Sequence, residues 1–447
     1  MDVSAEIYSS QNNCQLWKRR SLRLANMEIV HKHLTLAARH LRSHGNGNAK
    51  AVESMKVVVL GGGLTGRCAV RNLAGSSDVS EIVVADLETE RTEKFVESLG
   101  SRKVEAVGAD VRDHEATAKI LKDADVALNA VQYYFNLDVM KAALTARIHY
   151  LDLGGLYHTT RKQLELDDDF KRAGLTAVVG MGCVPGISNV MARWAADRLD
   201  SVETIRIRDG WRDLTPNAPR FVATWSIQTF TDEFIQNAVI FEDGALKEVP
   251  PITLGETITF PPPVGEVEVF TTLHSELATF PSSFKEKGIR NVNWKEGGVK
   301  GWQQDYQLIV ALGLMEKEPI KVNSTTLSPR QFFLQLLASK HLLGHPEEVV
   351  PEDCECSMVQ VVGRKQGEPV ELQLHVLYHS NREWRVSSAQ YGVGIPASIV
   401  AQMLGNDEIE RRGVLPPENC VNPSNLFSEL AKRNMPVIIS APSEFIH

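Results

Sequence analysis

The stretch 55–66 constrains the fold of this chain more than any other part of the sequence. It reads as a short buried strand that runs directly into the glycine turn Gly61-x-Gly63-x-x-Gly66. A second apolar run follows and ends at Asp86, twenty residues after the turn. Strand, glycine turn, helix, strand and acid in this order are the fingerprint of a dinucleotide-binding βαβ unit.

Each position of the turn has a physical reason. Gly61 permits the tight turn, Gly63 lets backbone N–H groups approach a pyrophosphate, and Gly66 lets the helix pack close to the strand. Leu64 and Thr65 begin that helix, and its N-terminus favours the negative phosphates. We therefore expect these five residues to bind a nicotinamide dinucleotide.

Asp86 would accept hydrogen bonds from the adenosine ribose, and its charge would repel a 2′-phosphate. The sequence thus predicts NAD as the cofactor, with NADP less favoured. Ligands in open α/β sheets bind beyond the carboxyl ends of the strands. Further cofactor contacts are therefore predicted where the following strands end, at Asp110, Asn129, Ala130, Leu153 and Gly154.

Strand and helix patterns alternate from residue 55 to about 180, which predicts an α/β, Rossmann-type, doubly wound parallel sheet over 55–181. From 182 to 395 the sequence pattern changes. Longer strand-like alternations of apolar and polar residues are separated there by Pro and Gly, among them 202–208, 267–273, 303–312 and 371–378. We predict there a second α+β domain with a mostly antiparallel or mixed sheet. Residues 396–447 follow with two helix patterns, the first of them beginning at Pro396.

The chain has 447 residues with a net charge of −8, and 43% of them are hydrophobic. This composition offers no general basic surface for nucleic acid or an anionic membrane, and no apolar run reaches the roughly 18 residues of a membrane span. The six cysteines match no zinc spacing, so no metal site is predicted. Reduced thiols in a long chain are typical of a cytoplasmic protein.

Residues 1–54 carry eight basic and four acidic residues and lack the apolar core of a secretory signal. We expect a disordered leader, or a non-native one that precedes a true start at Met55.

Five motifs occur in an order that resembles the saccharopine dehydrogenase family, at 61–66, 128–130, 150–155, 182–186 and 412–418. Within that family the layout is most similar to lysine 6-dehydrogenases. The resemblance implies a Rossmann domain, a second domain for substrate binding and dimerisation, and C-terminal helices over 396–447 that pack back on the Rossmann domain. It further implies a homodimer or higher homo-oligomer. It also implies an NAD-dependent oxidoreductase that acts on a C–N bond of an amino acid, by oxidative deamination.

Other readings remain open, because the segment 293–300 lacks the histidine usual in lysine 6-dehydrogenases. One alternative is a reductive condensation enzyme of the saccharopine reductase or carboxynorspermidine type. Another, from a different class, is a non-catalytic protein that senses NAD or binds a partner, since fold does not fix function.

Four residues are candidates for the chemistry of amine oxidation. Asp152 ends a parallel strand in the ligand crevice, although a loop-capping acid would look the same. His274 is a natural proton acceptor at neutral pH, and Glu276 would share its face on a strand; the pair could equally be solvated. Lys295 could bind a carboxylate or act as a base, or could lie in solvent.

Overall fold

The computed structural model describes residues 55–218, 225–298, 300–343 and 349–440. The predicted leader, 1–54, lies outside the described residues, as does the end of the chain from 441.

The first part of the chain alternates strands and helices, as its periodicity predicts. In chain order the elements are β1 (Met55–Leu60), α1 (Leu64–Ala74), β2 (Val79–Asp86), α2 (Thr89–Leu99), β3 (Val104–Gly108), α3 (His114–Leu121), β4 (Val126–Asn129), α4 (Asn136–Ala146), β5 (His149–Asp152), α5 (Leu156–Leu164), α6 (Asp167–Ala173) and β6 (Thr176–Val178).

The second part has longer strands. Its elements are α7 (Ile187–Arg198), β7 (Ser201–Asp213), α8 (Ile227–Ile235), β8 (Ala238–Glu242), β9 (Ala245–Val249), β10 (Thr253–Thr259), β11 (Glu266–Thr271), α9 (Phe280–Ser283), β12 (Asn291–Gly297), α10 (Trp302–Ala311), β13 (Ile320–Val322), β14 (Thr325–Leu327), α11 (Pro329–Ser339), β15 (Asp353–Lys365), β16 (Glu368–His379), α12 (Ser388–Gly405), β17 (Gly413–Leu415), α13 (Pro423–Ala431) and β18 (Val437–Ser440).

The first sheet is parallel, with strand order β17-β6-β5-β4-β1-β2-β3. Six of these strands follow the doubly wound order of dinucleotide-binding domains, and β17 extends the sheet from the far end of the chain. Alternate residues of β1 enter different cores, with Val57 and Val59 on one face and Val58 and Leu60 on the other. The predicted fold class is confirmed.

The second sheet is mixed, with order β10-β11-β12-β7-β15-β16-β18, and β8 and β9 branch from β12. Its central strand β7 runs parallel to β12 and antiparallel to β15. The mixed sheet that the sequence predicts for this domain is therefore confirmed. This sheet presents one face to the carboxyl ends of the first sheet's strands, where a cavity lies.

Two predicted elements differ from the structure. The run 303–312 is helical, because Trp302 and Tyr306, one turn apart, pack together on the aromatic side chains of α8. The last long helix begins at Ser388, not at Pro396, so the boundary predicted at 395/396 falls inside α12. Ser387 caps this helix in a capping box with Gln390 and thereby fixes its start.

Helix α12 packs tightly on α1 of the parallel sheet. A methyl carbon added at Gly394 would lie 2.8 Å from the Cβ atom of Cys68, so only glycine permits this approach. The amide of Asn72 also donates to the hydroxyl of Ser398 over 2.8 Å. Within the described ranges, no helix is both long and apolar enough to cross a membrane.

Candidate active site

The glycine turn has the geometry that its spacing predicts. Gly61 has a φ of +102°, and a methyl carbon there would lie 2.8 Å from the carbonyl carbon of Ala130. A methyl carbon at Gly66 would lie 1.9 Å from the carbonyl oxygen of Gly61, whereas one at Gly63 would meet nothing within 4 Å. The turn is closed where strand and helix meet and open where a pyrophosphate would lie. These residues fit a nicotinamide dinucleotide.

The carboxylate of Asp86 is fixed at the end of β2. Its Oδ2 atom accepts from the Gly62 N–H over 2.6 Å, and its Oδ1 atom accepts from the Glu88 N–H over 2.7 Å. Arg91, the nearby cation that could pair with a 2′-phosphate, already lies 3.1 Å from the carboxylate of Glu88. The position that is expected to face the adenosine ribose therefore carries the carboxylate of Asp86.

A cavity of about 630 Å³ extends from the glycine turn into the second domain. On the parallel-sheet side it is lined by four predicted cofactor residues, namely Thr65, Ala130, Leu153 and Gly154. Leu64, 44% exposed, begins α1 beside it. A methyl carbon at Gly154 would lie 3.5 Å from the Ser275 hydroxyl, so the segment containing His274 borders this end of the cavity.

Asp152 and Asn129 do not line the cavity. The carboxylate of Asp152 is fully buried and accepts from Gly154 N–H (2.9 Å), Gly180 N–H (2.8 Å), the Tyr150 hydroxyl (3.0 Å) and the Gln163 amide. Burial raises its pKa, and these donors oppose that shift. Asn129 donates to Asn136 and to the same tyrosine hydroxyl. Both residues hold the loops that form the cavity floor.

Asp110 and Lys295 also lie elsewhere. Asp110 pairs with Arg112 over 2.6 Å at the exposed end of β3, and this hydrogen-bonded pairing lowers its pKa to about 2. Lys295 pairs with Glu256 over 2.9 Å, on the face of β12 opposite to the cavity. Because side chains alternate along a strand, its neighbours Trp294 and Glu296 line the cavity instead.

His274 and Glu276 are brought together as predicted, although by a different local structure. Strand β11 ends at Thr271, and Glu276 begins a 3-10 turn that folds its carboxylate back onto His274 Nδ1. The imidazole is 6% exposed, lines the cavity, and stacks on Trp294 with ring centroids 4.1 Å apart. A buried carboxylate therefore fixes the tautomer and the orientation of a histidine at the cavity wall.

Three acids that sequence reasoning missed lie side by side on the sheet face of the cavity. Glu296 of β12 and Asp209 of β7 are register partners, and Glu355 of β15 donates to Asp209. Burial raises the pKa of Asp209 and of Glu296 to about 7, and raises that of Glu355 well above its usual range, where the neighbouring Asp209 adds to the shift. Burial therefore favours the protonated, uncharged form of these three acids.

A fourth missed acid, Glu233 of α8, faces the same cavity. Its side chain is 4% exposed, and none of the hydrogen bonds or ion pairs described in the structure involves its carboxyl group. Burial raises its pKa well above the usual range, and the charges of Glu296, Glu276 and Asp232 add to that shift. A cationic group of a ligand would offset the free-energy cost of burying this carboxyl group in its charged form.

Acids outnumber cations around the whole cavity. Among the described lining residues, the carboxyl side chains are Asp209, Asp213, Glu233, Glu296, Asp353 and Glu355, against the cations Arg212 and Lys300. Aromatic side chains complete the wall at Trp211, Trp225, Phe230, Trp294, Tyr306 and Tyr133. Carboxylates with aromatic faces are the surroundings that bind ammonium groups. For the three missed acids on strands, the only sequence signal was their position on the inward face of apolar strands, whereas Glu233 lies on helix α8.

The two halves of the cavity wall are also bonded to each other. The loop after β4 contacts α8, since the hydroxyl of Tyr133 donates to Asp232 over 2.9 Å and the hydroxyl of Ser226 donates to Gln132 over 2.9 Å. Asp232 is held from the other side by Arg330 over 2.7 Å.

Comparison with known proteins agrees with this architecture. The family model described as "Saccharopine dehydrogenase NADP binding domain" matches residues 57–178, and "Saccharopine dehydrogenase C-terminal domain" matches residues 182–435. Carboxynorspermidine synthase from Vibrio cholerae is 25% identical over 403 residues, which is 83% of this chain and 93% of the relative. Carboxyaminopropylagmatine dehydrogenase from Synechocystis is 22% identical over 410 residues, 87% of this chain and 99% of the relative.

Two solved structures share the fold. Saccharopine dehydrogenase (L-Glu forming) from Saccharomyces cerevisiae superposes with a TM-score of 0.66 at 17% identity, covering 87% of this chain and 100% of that one. Homospermidine synthase from Legionella pneumophila, solved in complex with NAD, superposes with a TM-score of 0.59 at 12% identity, covering 88% and 92%.

Proposed function

The chain belongs to the saccharopine dehydrogenase family, and from that premise we propose that it joins an aldehyde to one amino group of a polyamine-type substrate by reductive condensation. The observation that carries this proposal is the acid-lined cavity, above all the buried carboxyl group of Glu233 that faces it. The family and the chain's relatives support a nicotinamide-dependent oxidoreductase acting on CH–NH groups. The amine substrate and the direction of the reaction are our inference.

The relatives favour this reading over oxidative deamination of lysine. Two of them are named for carboxynorspermidine and carboxyaminopropylagmatine, which are polyamines that carry a carboxyl group. Among the described residues that line the cavity, carboxyl groups outnumber cationic side chains. A substrate with several ammonium groups suits these walls better.

The proposed reaction has two stages. A neutral primary amine attacks the aldehyde carbon, and loss of water gives an imine. A hydride then reaches the imine carbon, and the nitrogen takes a proton to give a secondary amine. The reduced nicotinamide, when bound along the glycine turn, supplies that hydride.

The residues of the chain have separate roles in this scheme. Glu233 and Glu296 hold the distal ammonium group, and the aromatic walls exclude water. His274 exchanges protons with the reacting nitrogen and with the departing hydroxyl, since it lines the cavity and the next residue, Ser275, lies beside Gly154. Asp209, which shares a hydrogen bond with Glu355 and has a pKa of about 7, accepts the proton that the entering ammonium must lose.

We propose NAD(H) as the preferred cofactor pair. Asp86 is fixed at the ribose position by two backbone N–H groups, and the nearby Arg91 is paired with Glu88. A 2′-phosphate would therefore lie close to the carboxylate of Asp86, and Arg91 would have to leave Glu88 in order to pair with it. The homo-oligomer, the cytoplasmic location and the absence of nucleic-acid partners stay predictions of the sequence.

The test is a matrix of nicotinamide oxidation assays. Aliphatic diamines, agmatine and lysine are each combined with an amino-acid semialdehyde and NADH or NADPH, and products are identified by mass spectrometry. Lysine and saccharopine are also offered with NAD in the oxidative direction.

We expect turnover with a diamine or agmatine and the aldehyde, and none with either alone. Glu233→Gln should raise the KM for the amine, whereas the matched surface variant Glu286→Gln should not. Turnover with lysine and NAD alone would replace this proposal by the deaminase reading. Turnover only with saccharopine would replace it by the saccharopine branch.

A further inference from the structure

Glu418 does not line the cavity, yet its side chain is 2% exposed and both of its carboxyl oxygens accept hydrogen bonds. Its Oε2 atom accepts from the amide of Asn189 over 2.7 Å, and its Oε1 atom accepts from the Ser283 hydroxyl over 2.8 Å. Its main-chain oxygen accepts from Arg193 Nε over 2.7 Å. Burying an acid is costly, and these contacts tie Glu418 to the first turns of α7.

Glu418 determines which way Asn189 faces. Because a carboxylate only accepts, it draws the NH₂ group of Asn189 toward itself and turns the amide oxygen the other way. That oxygen accepts from the Gly186 N–H over 2.8 Å and lies 3.2 Å from the Ser188 hydroxyl. The start of α7 and the preceding glycine-proline loop are fixed in this way.

The same contacts continue to the cavity. The Ser188 hydroxyl lies 3.0 Å from Glu276 Oε1, and the other oxygen of Glu276 holds His274 Nδ1. The Ser188 hydroxyl has one proton, which it can donate either to Asn189 or to Glu276. The orientation of the Asn189 amide determines which of these two acceptors receives it. All residues of this path are buried.

We propose that Glu418 is a positioning residue for His274, acting through Asn189, Ser188 and Glu276. This inference rests on the proposed role of His274 in proton exchange. It also gives the 412–418 motif a structural role, because β17 joins the parallel sheet and the turn after it carries Glu418 to the base of α7. The C-terminal part of the chain is thereby linked to the part of the cavity wall that contains His274.

The first experiment needs no substrate. A histidine N–H that is hydrogen-bonded to a buried carboxylate gives a far-downfield proton resonance, which His274→Asn would assign. We expect Glu418→Leu to abolish or shift this resonance, and Glu418→Gln to keep it, because glutamine still offers an oxygen to Asn189. The surface variant Glu410→Gln is the matched control. An unchanged resonance in a folded Glu418→Leu protein would overturn the proposal.

The second experiment uses turnover. We expect Glu418→Leu to lower kcat by about tenfold to a hundredfold at unchanged KM for NADH and amine, because a small misplacement of a catalytic group costs that much. Glu418→Gln should restore most of kcat. In a His274→Asn background Glu418→Leu should cause no further loss; an equal loss there would mean that Glu418 acts elsewhere. If the wild-type protein turns over no substrate, the proposed function fails, while the proton resonance still decides the positioning role.

Discussion

Replacing Glu233 by glutamine should change stability and amine binding in opposite directions. The carboxyl group is 4% exposed and faces the cavity, and its pKa is raised well above 4.5 by burial and by neighbouring acids. In the unfolded chain the group loses its proton near pH 4.5, whereas in the folded chain it keeps the proton to higher pH. The unfolded state therefore binds fewer protons, and the free energy of unfolding falls as pH rises above that value.

The size of this effect follows from the shift. Each pH unit between the unfolded and the folded pKa removes about 1.4 kcal/mol, so by pH 7 the loss reaches at most about 3.5 kcal/mol. Glutamine has the same shape and does not titrate. We therefore expect Glu233→Gln to be as stable as the wild type near pH 4.5 and to gain stability over it as pH rises to 7.

Amine binding should weaken in the same variant. A hydrogen bond to a charged group contributes about 1.5–3 kcal/mol, which corresponds to an increase in the KM of the amine of about one to two orders of magnitude. Denaturant unfolding at pH 5 and pH 7 and steady-state kinetics measure the two effects, with Glu286→Gln as the surface control. A variant that is destabilised at pH 7, or that keeps the KM of the wild type, would refute the reasoning.

Two further predictions concern residues of the parallel sheet. Asp86→Ser should lower the preference for NADH over NADPH, because it removes the charge opposite the 2′-phosphate; the ratio of the two kcat/KM values measures this, and an unchanged ratio would remove Asp86 from cofactor selection. Asp152→Asn should lower the free energy of unfolding by about 1–3 kcal/mol, because an amide cannot accept from all four donors around it. Its effect on amine KM should be small, and a variant as stable as the wild type in denaturant would contradict this account.

The sequence predicted best what depends on near neighbours. The glycine turn and Asp86 belong to one βαβ unit, so their spacing alone indicated the cofactor crevice. His274 and Glu276 are two residues apart, and their contact holds even though a 3-10 turn, not a strand, brings it about. In contrast, the strand predicted for 303–312 was wrong, because the alternation in the sequence is overridden by aromatic contacts at helical spacing.

The residues that distinguish the cavity were beyond sequence reasoning. Asp209, Glu296 and Glu355 are spread over nearly 150 positions and meet because β12, β7 and β15 are neighbours in one sheet, and Glu233 joins them from helix α8 on the other side of the cavity. Lys295 was placed among the candidates, yet a shift of one residue along a strand moves a side chain to the other face.

The sequence by itself thus determined the Rossmann fold, the family and the cofactor crevice, because those depend on local spacing and periodicity. Only the tertiary structure decided which acids are buried together, that Asp152 and Asn129 support the cavity floor, and that Glu418 reaches toward His274. Strand pairing and burial create these relations between distant positions, and burial is also what raises the pKa values of the acids in the cavity.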